Sequence, residues 1–95
     1  MKIKNLMLDC NIYPNLKGFD YMIMAVEIVK KDGKVPIVEG VYKKIARIYQ
    51  VSYISVERDL RYVVEKITMK TLAKYGINRS VTLKELIYYF AFMEN

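Results

Sequence analysis

Residues 41–65 read Val41-Tyr-Lys-Lys-Ile-Ala-Arg-Ile-Tyr-Gln-Val-Ser-Tyr-Ile-Ser-Val-Glu-Arg-Asp-Leu-Arg-Tyr-Val-Val-Glu65, and they predict two amphipathic helices separated by a tight turn. The small side chain of Ala46 lets the two helices approach each other, and residues 50–52 form the corner. Val56, ten residues beyond Ala46, supplies the apolar plug between the helices. We therefore expect a helix-turn-helix, an arrangement that many proteins use to read DNA.

The outer face of the second helix carries Glu57, Arg58 and Arg61. The two arginines lie within two turns of the helix start, where a recognition helix in the major groove presents its side chains to base edges. A guanidinium group pairs with guanine through two hydrogen bonds, and each such contact discriminates against a wrong base by ~1 to 3 kcal/mol. Glu57 is predicted to accept from a cytosine amino group or to orient an arginine. The alternative is a solvated face with an Arg61 to Glu65 ion pair, worth ~0.2 to 0.5 kcal/mol.

Candidate phosphate contacts lie on both helices of this pair. The first helix of such a motif crosses the DNA backbone, and here it carries Lys43, Lys44 and Arg47. Ser52 and Ser55 lie at the start of the second helix, where Ser52 is also predicted to cap the helix through its hydroxyl oxygen. For each of the three basic residues, an ordinary exposed face is an equally good interpretation.

Apolar residues recur at helical spacing through the rest of the chain. They predict helices over residues 2–10 and 19–33, a short helix over residues 68–75 that closes at Gly76, and a last helix capped by Thr82. The first helix of the pair has a predicted buried stripe of Val38, Val41, Tyr42, Ile45, Ile48 and Tyr49. The expected fold is all-α, a compact bundle of five to six helices that contains the helix-turn-helix.

The last predicted helix is apolar on nearly every side, because Tyr88, Tyr89, Phe92 and Met93 add to its apolar stripe. A helix of this kind requires burial on more than one face. These four residues are therefore a candidate surface for a homodimer or another partner. The alternative is a central helix of the domain core.

The composition is typical of a small folded protein with a basic surface. The 95 residues fit a single domain, and a hydrophobic share of 54% supplies the apolar area for one core. Sixteen Lys and Arg residues against ten Asp and Glu residues give a net charge of +6. This excess favours binding to polyanions such as double-stranded DNA, although it is also compatible with a charge that only keeps a small domain soluble.

The sequence also argues against several classes of protein. The lone Cys10 cannot form an internal disulfide and no signal peptide is evident, so we expect a cytoplasmic protein. Apolar runs such as residues 87–93 are far shorter than the ~20 residues needed to cross a membrane. The chain has no histidine, no Gly-rich phosphate loop and no metal-ligand spacing, so we expect no enzymatic activity, cofactor or metal.

Four segments of the sequence are informative, namely Asn15-Leu-Lys-Gly-Phe-Asp-Tyr, Val26-Glu-Ile-Val, Ile45-Ala-Arg-Ile-Tyr and Ser55-Val-Glu-Arg-Asp-Leu-Arg. Together they resemble the DNA-binding effector domain of the stage-zero sporulation response regulator, the master regulator of endospore formation. The resemblance implies that Glu57, Arg58 and Arg61 act at the DNA.

The chain departs from the family pattern at several positions near these residues. Asp59 does not match, and its carboxylate is predicted to weaken binding to phosphate. Ile54-Ser55 replaces Ser-Arg, Glu39 replaces a basic residue, and Tyr62 stands where histidine is common. We therefore expect a different binding sequence and fewer phosphate contacts.

The resemblance also implies partners. The family's effector contacts a sigma subunit of RNA polymerase after the recognition helix, near residues 68–75 here. Nothing in the chain resembles the phosphorylated receiver domain, so residues 1–95 are predicted to be one effector-like domain, either free-standing or part of a longer regulator. A transcription regulator that binds DNA as a dimer or tandem pair is the preferred interpretation. A protein interaction module with an effector-like fold that no longer reads DNA is the alternative.

Overall fold

The computed structural model describes residues 2–93, and within that range it contains α-helices, one π-helical turn and no strand. The elements are α1 (Lys2–Asp9), α2 (Lys17–Asp32), the π-helical turn (Val38–Tyr42), α3 (Lys43–Tyr49), α4 (Tyr53–Lys66), α5 (Met69–Ala73) and α6 (Leu83–Phe92). The prediction of an all-α bundle is confirmed. No helix in the described part of the chain is long and apolar enough to cross a membrane.

Helix α2 lies at the centre of the bundle and contacts α1, α3, α4 and α6. Its inner face buries Phe19, Met22, Val26 and Val29. Gly33 ends the helix with φ +81°, a conformation that glycine adopts without steric penalty, and its N–H donates to the carbonyl oxygen of Val29 at 2.8 Å. Because most other helices pack on α2, it fixes their relative positions.

A glycine allows α2 and α4 to pack closely. Gly18 is buried, and a Cβ atom at this position would overlap the backbone oxygen of Asp59 and lie 2.6 Å from Cγ2 of Val63. A backbone oxygen cannot rotate away as a side chain can. The contact therefore requires glycine, and it holds the middle of α4 against the start of α2.

The helix predicted from Val38 onward is present, but its first part is π-helical. Residues Val38–Tyr42 form the wider turn and α3 continues from it. Gly40 donates its N–H to the carbonyl oxygen of Pro36 at 2.7 Å, and a Cβ there would lie 2.6 Å from Cγ2 of Val35. The π-helical turn thus brings the helix backbone close to the segment that precedes it.

The predicted buried stripe on this helix is wrong at its end. Ile45 and Ala46 are buried, whereas Ile48 is 62% exposed. At roughly 100° per residue, Ile48 lies about 60° from Ile45 on the side away from Ala46, so it is at the edge of the buried face and is open to solvent in the last turn of α3. Tyr49 is also partly exposed, with one ring edge packed on Tyr21 at a centroid distance of 4.9 Å.

The last two helices begin at threonine caps. Thr68 accepts from the N–H of Thr71 at the start of α5, and Thr82 accepts from the N–H of Glu85 at the start of α6. The Glu85 carboxylate accepts from the N–H of Thr82 in return, which completes a capping box. Helix α6 then packs its buried face on α2 and α4.

Candidate nucleic-acid interface

The corner between α3 and α4 lies at residues 50–52, as the sequence predicted. Gln50 has φ 55° and ψ 48°, the left-handed conformation that ends a helix, and the N–H of Val51 donates to the carbonyl oxygen of Ala46 at 3.0 Å. Ser52 then caps α4, because its Oγ accepts from the N–H of Ser55 at 3.1 Å. The direction of the chain therefore changes within three residues.

Apolar contacts fix α4 against α3. Ala46 and Val56 are both buried, as expected for the two residues that let the helices approach and fill the space between them. Leu60 and Val63 extend the buried face of α4 by two further turns. This face is held by the core, so the opposite face of α4 is presented to solvent on a rigid support.

The outer face of α4 is a shallow groove on the surface of the domain. Its lining residues are Ile54, Glu57, Arg58, Arg61, Tyr62 and Glu65. The side chain of Arg58 is 70% exposed and that of Arg61 is 60% exposed. Both guanidinium groups therefore project outward from the side of the helix that is not packed on the core.

Each arginine of this face has an acidic neighbour. Arg61 donates to Glu57 at 2.9 Å, and not to the Glu65 partner of the alternative interpretation. The physical reason is the order of the residues, since an acidic residue four positions before a basic one is the favoured arrangement in a helix. The Nε atom of Arg58 lies 3.5 Å from Oδ1 of Asp59. These pairs are solvent-exposed on the arginine side and are therefore weak.

The basic residues of α3 differ in their surroundings. Lys43 donates to Glu39 at 2.7 Å, which raises the pKa of Lys43, and its Nζ lies 5.3 Å from the centroid of the Tyr53 ring. Lys44 donates to Asp32 at the end of α2, also at 2.7 Å, and this hydrogen bond lowers the pKa of Asp32. Arg47 is exposed and has no ion-pair partner among residues 2–93.

The two predicted serine contacts form a pair at the start of α4. The Oγ atoms of Ser52 and Ser55 are 2.8 Å apart, so one hydroxyl donates to the other. A hydroxyl carries a single hydrogen, and the pair therefore retains one hydrogen for an external acceptor such as a phosphate oxygen. The serine pair lies beside the positive end of the α4 dipole, which favours the same kind of ligand.

The four residues predicted as a partner surface have different environments. Tyr88 and Tyr89 are partly buried, and their hydroxyl groups donate to the carbonyl oxygens of Val35 at 3.1 Å and of Tyr75 at 2.6 Å. Phe92 and Met93 are exposed. Two of the four side chains thus hold the domain together, and the other two are accessible.

The sequence pattern did not identify Ile54 as a site residue. It lies in the first turn of α4 with its side chain exposed, one turn before Arg58. The i, i+4 spacing of Ile54 and Arg58 places both residues on one face of the helix, but a pattern analysis normally assigns an apolar residue to the core.

The region of the expected sigma contact is partly exposed. In α5 the side chains of Met69 and Lys70 are exposed, whereas those of Thr71 and Leu72 are buried.

Comparison with known proteins gives one family. The family model described as Sporulation initiation factor Spo0A C terminal matches residues 3–85. No curated protein matches the chain. No solved structure matches it either.

Proposed function

Because this chain belongs to the family of the sporulation initiation factor Spo0A C-terminal domain, we propose that it is a sequence-specific DNA-binding regulator of transcription. In this proposal α3 crosses the DNA backbone and α4 lies in the major groove with its outer face toward the bases. Glu57, Arg58 and Arg61 make the base contacts. Lys43, Lys44, Arg47, Ser52 and Ser55 contact phosphates.

The exposure of Arg58 and Arg61 beside a capped turn is the observation that carries the proposal. Both guanidinium groups lie on the outer face of α4, opposite the buried Val56, Leu60 and Val63. A rigid helix with exposed arginines in its first turns has the geometry that guanine recognition requires. Their acidic neighbours do not prevent this, because an exposed ion pair is worth ~1 kcal/mol or less and a charged DNA groove competes with it.

The five candidate phosphate contacts support the same orientation. They come from the exposed side of α3 and from the first turn of α4, on either side of the corner at residues 50–52. A phosphate can replace Glu39 as the partner of Lys43, and Asp32 as the partner of Lys44, because these ion pairs lie at the surface. Arg47 has no ion pair within residues 2–93, so a phosphate that binds it displaces no carboxylate.

A selection of duplexes from a random pool tests the proposal. The wild-type chain should enrich one sequence motif, and the double variant Arg58→Ala with Arg61→Ala should lose it because the guanine contacts are removed. The double variant Lys4→Ala with Lys84→Ala is the matched control, since it removes the same charge from exposed positions on α1 and α6. The control should retain the motif. Failure of the wild-type chain to enrich any motif contradicts the proposal.

A protein interaction module is the second candidate. The observation that favours it is the group of exposed apolar side chains around the corner, namely Ile48, Val51 and Ile54. Such side chains are compatible with a protein partner as well as with DNA. The selection separates the two functions, because an interaction module enriches no duplex motif in either the wild-type or the variant form.

Two further partners are also proposals, one implied by the family and the other by the apolar surface of the last helix. A sigma subunit of RNA polymerase would contact α5, where Met69 and Lys70 are exposed. A second copy of the chain would pack on Phe92 and Met93. Sedimentation of the wild-type chain and of Phe92→Ser on the selected duplex tests the dimer, since the variant should bind as a monomer if this contact forms.

A further inference from the structure

Ile54 is an exposed isoleucine on an ordered surface. It is the second residue of α4 and is 63% exposed, although isoleucine is usually buried. The Ser52 cap fixes the backbone of this turn, and the branched Cβ of isoleucine restricts its side chain to few rotamers. The apolar group is therefore held in place in the solvent without the support of a core contact.

Ile54 lies on the same face of α4 as Arg58 and Arg61. Ile54, Arg58 and Arg61 lie at i, i+4 and i+7 and line one groove, opposite the buried face of α4. Ile54 comes first along the chain. The first residues of a recognition helix are the ones that reach base edges in the major groove, so Ile54 faces the same surface that the arginines are proposed to read.

We propose that Ile54 reads the 5-methyl group of a thymine in the major groove. Thymine is the one standard base that presents a methyl group there, and apolar side chains recognise it by contact. This inference rests on the proposed DNA-binding function and adds to it one defined base preference. Ile54 is the one aliphatic residue that lines the groove. In this proposal its side chain contacts the thymine methyl group while Arg58 contacts a guanine.

Helix and duplex dimensions give the spacing between these two contacts. Ile54 and Arg58 are four residues apart, about 6 Å along the helix axis, and base pairs are stacked about 3.4 Å apart. The thymine is therefore one to two base pairs from the guanine contacted by Arg58. A selected motif should contain thymine and guanine at this separation.

Replacement of thymine by uracil tests the inference, because it removes the methyl group and leaves the hydrogen-bonding groups unchanged. The duplex is the one selected from the random pool, with each thymine replaced in turn. Loss of a methyl contact should weaken binding by the wild-type chain about fourfold at one position. Ile54→Ala should bind the thymine and uracil duplexes equally well.

Ile48→Ala is the matched control for this experiment. Ile48 is 62% exposed and lies on α3, so the variant loses the same side chain at the same exposure from the other helix of the pair. It should retain the full preference for thymine over uracil. Thermal unfolding of both variants establishes that they are folded.

The outcomes separate this inference from the proposed function. If a motif is enriched and depends on Arg58 but wild type binds the uracil and thymine duplexes equally at every position, the methyl contact is disproved and DNA reading stands. A thymine preference that persists in Ile54→Ala also disproves it. If no motif is enriched at all, both the inference and the proposed function fail.

Discussion

Gln50 sets the geometry of the corner between α3 and α4. Its φ of 55° lies in the left-handed region, where a side chain with a Cβ atom is strained and glycine is not. We expect Gln50→Gly to raise the free energy of unfolding by about 0.5 to 1 kcal/mol, because it relieves this strain. Urea denaturation measures the change. Gln50→Ala is the control and should give no gain, since alanine retains the Cβ atom.

Ser52 links the stability of α4 to its proposed contact with DNA. Its Oγ accepts from the N–H of Ser55, and Ser52→Ala should lower the free energy of unfolding by about 1 kcal/mol. Ser52→Asp retains a capping oxygen, so its stability should stay close to that of the wild type. Its added negative charge should nevertheless weaken binding to the selected duplex. Denaturation and binding measurements on the two variants therefore separate the cap from the phosphate contact, and equal DNA affinity of Ser52→Asp and wild type would contradict that contact.

Gly18 determines how closely α2 and α4 approach each other. A methyl group at this position would overlap the backbone oxygen of Asp59, which belongs to α4. We expect Gly18→Ala to lower the free energy of unfolding by about 1 to 3 kcal/mol, because α4 has to move outward to accept it. Urea denaturation measures this loss. A change smaller than about 0.5 kcal/mol, as is usual for surface substitutions, would mean that the two helices are not in this contact.

The capping box of α6 makes the stability of the domain sensitive to acid. Glu85 accepts from Arg79 at 2.9 Å and from the N–H of Thr82 at 3.0 Å, and these hydrogen bonds, that of Arg79 foremost, lower its pKa from 4.5 to about 2. Because the pKa is lower in the folded state, the contribution is fully present above pH 4.5 and is lost as the pH falls toward about 2.

Glu85→Gln tests this pH dependence. A glutamine has a single acceptor oxygen, so it can keep only one of the two hydrogen bonds of Glu85, but it does not titrate. The Tm of Glu85→Gln should therefore fall less than that of the wild type between pH 4.5 and about 2. Thermal unfolding followed by circular dichroism across this range gives the comparison. Parallel curves for the two proteins would show that Glu85 is not the responsible group.

The helices could be predicted wherever a side chain marks their start. Ser52, Thr68 and Thr82 were each expected to cap or begin a helix, and each accepts from a backbone N–H three residues later. The π-helical turn Val38–Tyr42 could not be predicted, because it differs from an α-helix by only one residue in hydrogen-bond spacing. The close approach of Gly40 to Val35 that accompanies it is a packing contact, which the apolar periodicity does not indicate.

The sequence predicted where the side chains of the candidate site lie better than it predicted which residues they contact. Arg58 and Arg61 were expected on the outer face of α4 and lie there. The partner of Lys44 is Asp32, twelve residues away on α2, and a local pattern gives no information about such a pair. Ile54 was missed because an isoleucine near a helix start is normally assigned to the core.

The charge of the whole molecule is unevenly neutralised. The net charge is +6, and on α3 both Lys43 and Lys44 lie beside carboxylates, whereas Arg47 has no ion-pair partner within residues 2–93. A cation that has to leave a carboxylate gains less from a phosphate than one that is already available. Arg47 should therefore contribute more to DNA affinity than either lysine.

The salt dependence of DNA binding tests this distribution of charge. If about six phosphates are neutralised, affinity for the selected duplex should fall by roughly 10³ between about 50 and 200 mM salt, because each contact releases counterions. Arg47→Ala should reduce the slope of log affinity against log salt by about one, the amount expected for one lost phosphate contact. Lys4→Ala, a change of equal charge on α1, should leave the slope unchanged. Equal slopes for Arg47→Ala and wild type would show that Arg47 does not contact a phosphate. A slope near zero for the wild type would contradict DNA as the partner.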